Sequence, residues 1–449
     1  MTNLLLSFYG DDLTGSTDAM EALTLAGART ALFLQPATAA QLACMAASGP
    51  LQAIGLAGTS RSETPDWMDV HLPIALGWLK AQAAAICHYK VCSTFDSAPE
   101  VGSIGRALEI GARIFGQAVV PVVVGVPQLK RYTVFGQHFA TIDGVTHRLD
   151  RHPVMGRHPV TPMDEADLRL HLARQTVVPV GLIDWMALQD ADVNARIDSA
   201  MQSDSSASRG LVFDVPDRVI QREVGRQLWR HRRDGRSLFV IGSSGVEYAL
   251  VPEWQALGLL PSTPSATTPI GAVKQIAVVS GSCSAVTAQQ IRWAGEHGFA
   301  LLQVNAALLA SRSKGNAEQA RVFQLACEAL DAGLSVIAYT ALGPESLTPR
   351  ADDAEPHAIG RHLGRLLRDM VLHGDLKRAV VAGGDTSSHA LRELDVYALT
   401  VAMPLPRTPG SPLCEAHSDN PAFQGLQVAL KGGQIGAIDY FDAIRSGRG

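Results

Sequence analysis

The 449-residue chain is poor in cysteine, and its six thiols (Cys44, Cys87, Cys92, Cys283, Cys327 and Cys414) form neither a Cys-x-x-Cys pair nor a Cys/His ligand spacing. A disulfide framework and a structural zinc site are excluded, and free thiols are expected. Long apolar runs are also missing. The longest, Ala118 to Leu129, holds about twelve residues and two prolines, against the roughly 20 that span a bilayer. Met1 to Tyr9 lacks the basic start and cleavage site of a signal peptide and reads as a buried first strand, so a cytoplasmic location is expected. No Lys/Arg run is present, and 38 basic against 43 acidic residues leave a net charge of −5. That is no electrostatic footprint for nucleic acid, so the expected partners are small molecules, with neither nucleic acid nor membrane among them. Finally, there is no GxxxxGK[ST] and no GxGxxG, which removes a Walker-type NTPase and a standard dinucleotide fold.

What is present is a hydrophobic fraction of 47% with 18% charged residues, which excludes a disordered or fibrous chain. The length suits two or three domains. β-rich runs alternate with helical patterns at Leu4–Tyr9, Thr30–Leu34, Ala53–Gly58, Ile86–Val91, Val119–Val126, Leu211–Asp214 and Leu238–Ile241. That order predicts an α/β fold with a mostly parallel sheet. Arg131 to Asp150 alternates polar and apolar residues around Asp143-Gly144, which predicts an antiparallel insertion with a tight hairpin turn. Ser203–Ser208 reads as a surface loop. Residues 260–271 (LPSTPSATTPIG) carry three prolines and no charge, and are read as the linker between an amino-terminal α/β domain, 1–259, and a carboxy-terminal one, 272–449. Strands near Gln275–Ser280, Ala300–Val304, Ser335–Tyr339, Ala379–Ala382 and Ala398–Met403 follow, with helices over Asn316–Asp331 and His357–His373. Two such domains predict a ligand cleft between them, lined by loops at strand carboxyl ends.

The candidate chemistry falls where strands end. Leu4–Tyr9 runs into Gly10, Asp11, Asp12, Leu13 and Thr14, and paired carboxylates there suit Mg²⁺ binding or removal of a hydroxyl proton. Asp11, Asp12 and Thr14 are equally compatible with turn and N-cap roles. Arg61 and Lys90, each beside hydroxyl side chains, suit a small carboxylate; each also reads as an ordinary surface cation. His152 and His158 stand six apart with no third ligand nearby, so they are read as loop geometry and not metal. Small-residue turns follow three further strands, Ile241-Gly242-Ser243-Ser244-Gly245, Ser280-Gly281-Ser282-Cys283-Ser284 and Ala382-Gly383-Gly384-Asp385-Thr386, and Leu430-Lys431-Gly432-Gly433 adds another glycine turn with a lysine able to meet phosphate charge. Their backbone N–H groups can cradle an anion, although the same letters describe plain chain reversal. Asp385 is a candidate partner for Mg²⁺ or ribose.

Six segments in order, FYGDDLTGSTDAME, YKVCSTFDSAPEVGSIG, RHPVTPMDEADLRLHLARQ, VSGSCSAVTAQQ, AGGDTSS and LKGGQIGAIDYF, resemble the four-carbon acid sugar kinase family. The resemblance implies a cytoplasmic carbohydrate kinase, a transferase using ATP and Mg²⁺ to phosphorylate a hydroxyl of threonate, erythronate or an oxo-tetronate. It implies that the first domain binds the acid and the second binds nucleotide. Asp12, with Asp11 beside it, would serve the acceptor site; Arg61, Lys90, Asp96 and Ser243 would line the acid pocket. Ser282, Ser284, Gly383, Gly384, Asp385, Thr386, Gly432 and Gly433 would contact ATP. Two departures stand out: LKGGQIG where KSGNFG is expected, and Pro404–Phe423, which reads as an insertion. The acid, its epimer, the hydroxyl phosphorylated and any homo-oligomeric state stay open, as does the alternative of a non-catalytic sensor on the same fold.

Overall fold

The computed structural model describes residues 4–158, 160–202, 208–232, 235–263, 270–344, 353–355, 357–405 and 407–448. Of the expected loop at 203–208 and linker at 260–271, residues 203–207 and 264–269 lie outside them. In chain order the strands are β1 Leu6–Gly10, β2 Thr30–Phe33, β3 Ala53–Ala57, β4 Ile86–Lys90, β5 Val119–Val123, β6 Arg131–Val134, β7 Gln137–Ile142, β8 Val145–Arg148 and β9 Val180–Ile183. They continue with β10 Arg209–Phe213, β11 Leu238–Gly242, β12 Ala277–Ser280, β13 Phe299–Gln303, β14 Ser335–Tyr339, β15 Arg378–Ala382, β16 Val396–Met403, β17 Leu413–Ser418 and β18 Gln427–Lys431.

Contacts divide the chain into two units: residues 1–30 with 38–265, and residues 31–37 with 266–449. In the first unit the strands lie in the order β3-β1-β4-β11-β5-β10-β9, every pairing parallel. A parallel sheet is covered on both faces, and β1, β3, β4, β5 and β11 are accordingly buried along their whole length. The expected antiparallel insertion is the three-stranded sheet β6-β7-β8. Its tight turn places Asp143 and Gly144 at φ 49° and 79°, the left-handed pair that a two-residue hairpin needs.

In the second unit β13-β14-β12-β15-β18 are parallel, and the sheet then turns antiparallel through β17 and β16 to residues of β2. Two features differ from the sequence reading. Phe33 and Leu32 pair with Ala398 and Leu399, so the second strand of the chain serves the second unit. No strand is expected from the sequence within 404–423, the segment read as an insertion against the family pattern, yet β17 lies there and sits between β16 and β18 in the sheet. Around Ile276, Val278, Ile337, Val380 and Ala429 these strands form a continuous apolar core with helices Ala285–Gly295 and Tyr440–Ser446. No helix among the described residues is long and apolar enough to cross a membrane.

Candidate functional site

β3, β1 and β4 are adjacent and parallel, so the loops that follow them emerge side by side at one end of the sheet. The chain crosses from one side of β1 to the other between β3 and β4, the position at which open α/β sheets bind ligands. Three backbone bonds lock this end: Asp11 N donates to Lys90 O at 2.9 Å, Gly58 N to Gly10 O at 2.8 Å and Arg61 N to Asp11 O at 3.1 Å. Asp11, Asp12, Arg61 and Lys90 are thereby brought together.

The Arg61 guanidinium is spent largely on the two aspartates. Nε and Nη2 donate to Asp11 Oδ2 and Oδ1 at 3.1 and 2.7 Å, a two-pronged grip, and Nη1 donates to Asp12 Oδ2 at 2.7 Å. Three of its five N–H groups are used and two remain. Asp12 is also the N-cap of helix Leu13–Leu25, its Oδ1 accepting from Gly15 N at 2.6 Å. The capping and acceptor-site readings therefore describe one side chain. The two carboxylates differ in access: 16% of the Asp12 side chain is exposed against 4% for Asp11. Burial pushes the Asp11 carboxyl up to about 6, against the lowering pull of Arg61.

Lys90 is buried at the end of β4, with Nζ 3.1 Å from Val91 O and 3.5 Å from Asp18 Oδ2. Burial opposes its charge, but Asp18 and Asp11 outweigh that and hold its pKa above the usual lysine value. A Cβ at Gly15 would stand 2.5 Å from Asp12 Oδ1, 3.2 Å from Lys90 Nζ and 3.5 Å from Arg61 Nη2. Glycine is required there, since any side chain would enter the middle of the cluster. Asp96 accepts from Thr94 Oγ1 at 2.5 Å. Burial would raise its carboxyl, but the Arg61 charge and the Thr94 bond keep it below the usual carboxylate range. Ser243 is committed elsewhere: its Oγ donates to Val124 O at 2.6 Å and accepts from Gly245 N at 2.9 Å, closing the turn after β11.

The sequence reading missed a layer on the same side of β4. His88, two residues before Lys90, is fully buried with Nδ1 2.7 Å from Glu247 Oε1 and Nε2 3.0 Å from Gly242 O. A carbonyl only accepts, so Nε2 carries a proton and a second proton lies between Nδ1 and the carboxyl. The period of two along β4 puts His88 and Lys90 on one face. Nothing in the sequence pairs His88 with a residue 159 positions away, or Lys90 with Asp18.

The second unit repeats the arrangement. β12, β15 and β18 are adjacent and parallel, and the three expected small-residue turns emerge together. Gly281 N donates to Ala382 O at 3.1 Å and Gly383 N to Lys431 O at 2.8 Å. A Cβ at Gly281 would lie 2.1 Å from Thr386 Oγ1, so the first two turns touch through a glycine. Ser284 caps helix Ala285–Gly295, its Oγ accepting from Val286 N at 3.2 Å. Ser282 Oγ reaches Thr287 Oγ1 at 3.2 Å, and Thr287 Oγ1 donates to Gly433 O at 3.0 Å, which joins the first and third turns. Gly384 follows Gly383 at the same strand end, beside Gly432 and Gly433 of the neighbouring one; the side chain of Asp385 lies outside the described residues. Among the described residues no group of three or more His, Cys, Asp or Glu is placed to hold a metal.

The sugar-binding N-terminal domain family model matches residues 6–250, and the nucleotide-binding C-terminal domain model matches residues 277–441. The chain is 47% identical to the 3-oxo-isoapionate kinase of Paraburkholderia graminis, over 99% of this chain and 95% of that protein. It is 30% identical to the 3-oxo-tetronate kinase of Methylobacterium radiotolerans, over 98% of each. Among solved structures, a Salmonella typhimurium LT2 protein superposes with a TM-score of 0.74 at 23% identity over 98% of both chains. Haemophilus influenzae protein HI1011 superposes at 0.69 and 20% identity over 98% of this chain and 99% of that one. These two structures establish the likeness of fold.

Proposed function

Because the chain belongs to the four-carbon acid sugar kinase family, we propose that it transfers the γ-phosphoryl group of ATP to a hydroxyl of a 3-oxo sugar acid. It is a sugar-acid kinase, a phosphotransferase with an alcohol group as acceptor. The 3-oxo assignment is drawn from the names of both relatives, and 3-oxo-isoapionate is the first acceptor to test. The observation that carries the site assignment is the meeting of one accessible carboxylate, Asp12, with two cations where three adjacent strands end, β1, β3 and β4.

Phosphoryl transfer asks little covalent chemistry of a protein; it asks for an in-line acceptor and compensation of charge. Asp12 is the general base in this reading. Its carboxylate accepts only two bonds, leaving lone pairs for the acceptor hydroxyl. Asp11 positions it, gripping Arg61 so that Nη1 fixes Asp12 Oδ2. The two unspent N–H groups of Arg61 and the remaining one on Lys90 meet the carboxylate of the acid, and Asp96 and Ser243 shape the surrounding loops. In the second unit Ser282, Ser284, Gly383, Gly384, Thr386, Gly432 and Gly433 hold ATP through backbone N–H and hydroxyl donors, with Asp385 as the candidate partner for Mg²⁺. Bound Mg²⁺ would neutralise charge on the phosphate oxygens.

The test is ADP release with ATP and Mg²⁺ across 3-oxo-isoapionate, 3-oxo-tetronates, threonate and erythronate. Turnover restricted to 3-oxo acids supports the assignment. Turnover with threonate or erythronate alone removes the 3-oxo preference, and nucleotide binding without turnover on any acid returns the sensor reading.

A further inference from the structure

Lys431 ends β18 directly beneath the third glycine turn, and its side chain is fully buried. Nζ donates to Thr287 Oγ1 at 2.9 Å, Gly432 O at 3.0 Å and Gly433 O at 3.4 Å. An ammonium has three N–H groups, and all three are used, so none is left to touch a phosphate. Unlike Lys90, which has Asp18 and Asp11, this amine has no ion-pair partner among the described residues, and burial alone acts on it, lowering its pKa to about 8.

The direction of those bonds matters. Every peptide bond among the described residues is trans, and in a trans peptide C=O and N–H point opposite ways. Drawing Gly432 O and Gly433 O towards the buried amine therefore turns the N–H groups of Gly433 and Gln434 away from it. Neither N–H has a hydrogen-bond partner among the described residues. Thr287 Oγ1 receives the amine, donates to Gly433 O and lies 3.2 Å from Ser282 Oγ, so the same cation fixes the third turn against the first.

We infer that Lys431 is a positioning residue for nucleotide: from beneath the turn it aims the Gly433 and Gln434 N–H groups at the polyphosphate and leaves its own charge unneutralised to attract it. The inference rests on the nucleotide-site reading given above. Thr287 from helix Ala285–Gly295 and Tyr440 from helix Tyr440–Ser446, its ring 5.8 Å from Nζ, pack on the amine. Burial, with Cys414 nearby, holds the Tyr440 phenol far above neutral pH. The amine is then the group that titrates near pH 8, and a bound anion raises its proton affinity.

The experiment is calorimetric titration of the whole protein with ADP and Mg²⁺ at pH 8 in two buffers of different ionisation heat, for wild type and Lys431→Met. Methionine keeps the length of the buried chain, and thermal melting with sugar-acid binding checks the fold. Wild type is expected to take up a fraction of a proton, up to about one half, on binding ADP. Lys431→Met is expected to bind ADP about 10–100-fold more weakly, with no uptake and an unchanged KM for the acid. Absence of proton uptake by wild type overturns the inference whether or not the variant folds, as does Lys431→Met affinity within twofold of wild type. Wild type that binds no ADP at all overturns the nucleotide reading together with it.

Discussion

Replacing Asp12 with Asn separates the chemistry of the acceptor site from its structure. Asparagine is as good an N-cap as aspartate, so the bond from Gly15 N is kept and helix Leu13–Leu25 keeps its start. Arg61 loses one charged partner but retains both bonds to Asp11. The Asp12 pair is partly exposed, so its loss costs about 1 kcal/mol or less, a shift of roughly 2–4 °C in Tm. The proposed proton acceptor, by contrast, is gone. Loss of a positioned base costs about 10²–10⁴-fold in rate, equivalent to roughly 3–5.5 kcal/mol at the transition state. The assay is ADP release under saturating ATP and acid, beside a thermal melt. Asp11→Asn makes the complementary perturbation: it breaks the grip on Arg61 and leaves a half-buried guanidinium short of charge. Its effect on stability is the sum of two opposing terms, the charge partner lost to Arg61 and the burial cost of an ionised Asp11 removed, and its effect on turnover passes through Asp12. The double variant should therefore be no slower than Asp12→Asn alone, because residues acting as one unit are not additive. Turnover of Asp12→Asn within threefold of wild type refutes the base, and a double variant slower by the product of the two single effects refutes the positioning role of Asp11.

Gly15→Ala pushes a methyl group to 2.5 Å from Asp12 Oδ1 and is expected to cut kcat at least tenfold with ADP affinity unchanged, as read by steady-state kinetics and calorimetry. Gly281→Ala sets a Cβ 2.1 Å from Thr386 Oγ1, so the first two turns must part; KM for ATP rises about tenfold or more while acid binding measured alone stays as it was. The Asp11 carboxyl, raised to about 6, gives opposite signs for activity and stability. Turnover falls as pH drops through about 6 because protonation takes the charge from Asp11 and blocks one of the two oxygens that Arg61 grips. Its contribution to stability is fully present below the unfolded value near 4 and is lost as pH rises through 6, since the folded state holds the proton longer. His138 and His171, each lowered to about 4 by burial, act the other way, and their contribution is lost as pH falls from 6.5 through 4. Denaturant titrations of wild type and Asp11→Asn across pH 4–7 separate the terms, and an unchanged difference between them over that range would sink the Asp11 assignment.

Much of this was legible because parallel strands are buried on both faces and read as short apolar runs, each followed by its loop. Asp11, Asp12, Arg61 and Lys90 could be placed at strand ends, and three of the glycine turns likewise. Their convergence was not legible, since it follows from β1 lying between β3 and β4, and β15 between β12 and β18. Two of the strands that escaped recognition lack the buried run: β9 is half-exposed for three of its four residues, and β17 alternates buried and half-exposed residues over most of its length. Nor could composition show that Arg61 would spend three bonds on two aspartates, or that Glu247 would meet His88. Such pairings depend on which strands become neighbours, and strand order is written in no local pattern.

The two buried lysines point to different demands on the two sites. Around Lys90 and Arg61 stand Asp11, Asp12 and Asp18, three carboxylates against two cations, so the proposed acceptor site holds no surplus of positive charge. A site without surplus positive charge has little general attraction for anions, and a singly charged acid would win its place through the few N–H groups left over on Arg61 and Lys90. Discrimination between similar acids then depends on hydrogen bonds that a wrong acceptor leaves unmade, the kind of selection that buried polar groups perform best. At the other site a polyphosphate carries several charges common to every nucleoside triphosphate, and the useful response is attraction. A cation without a carboxylate, kept out of water beneath a turn of free N–H groups, provides it at the strength a low-dielectric interior allows. On the proposed site roles, neutralising Lys90 and leaving Lys431 bare would thus assign selectivity to the acid and electrostatic affinity to the nucleotide.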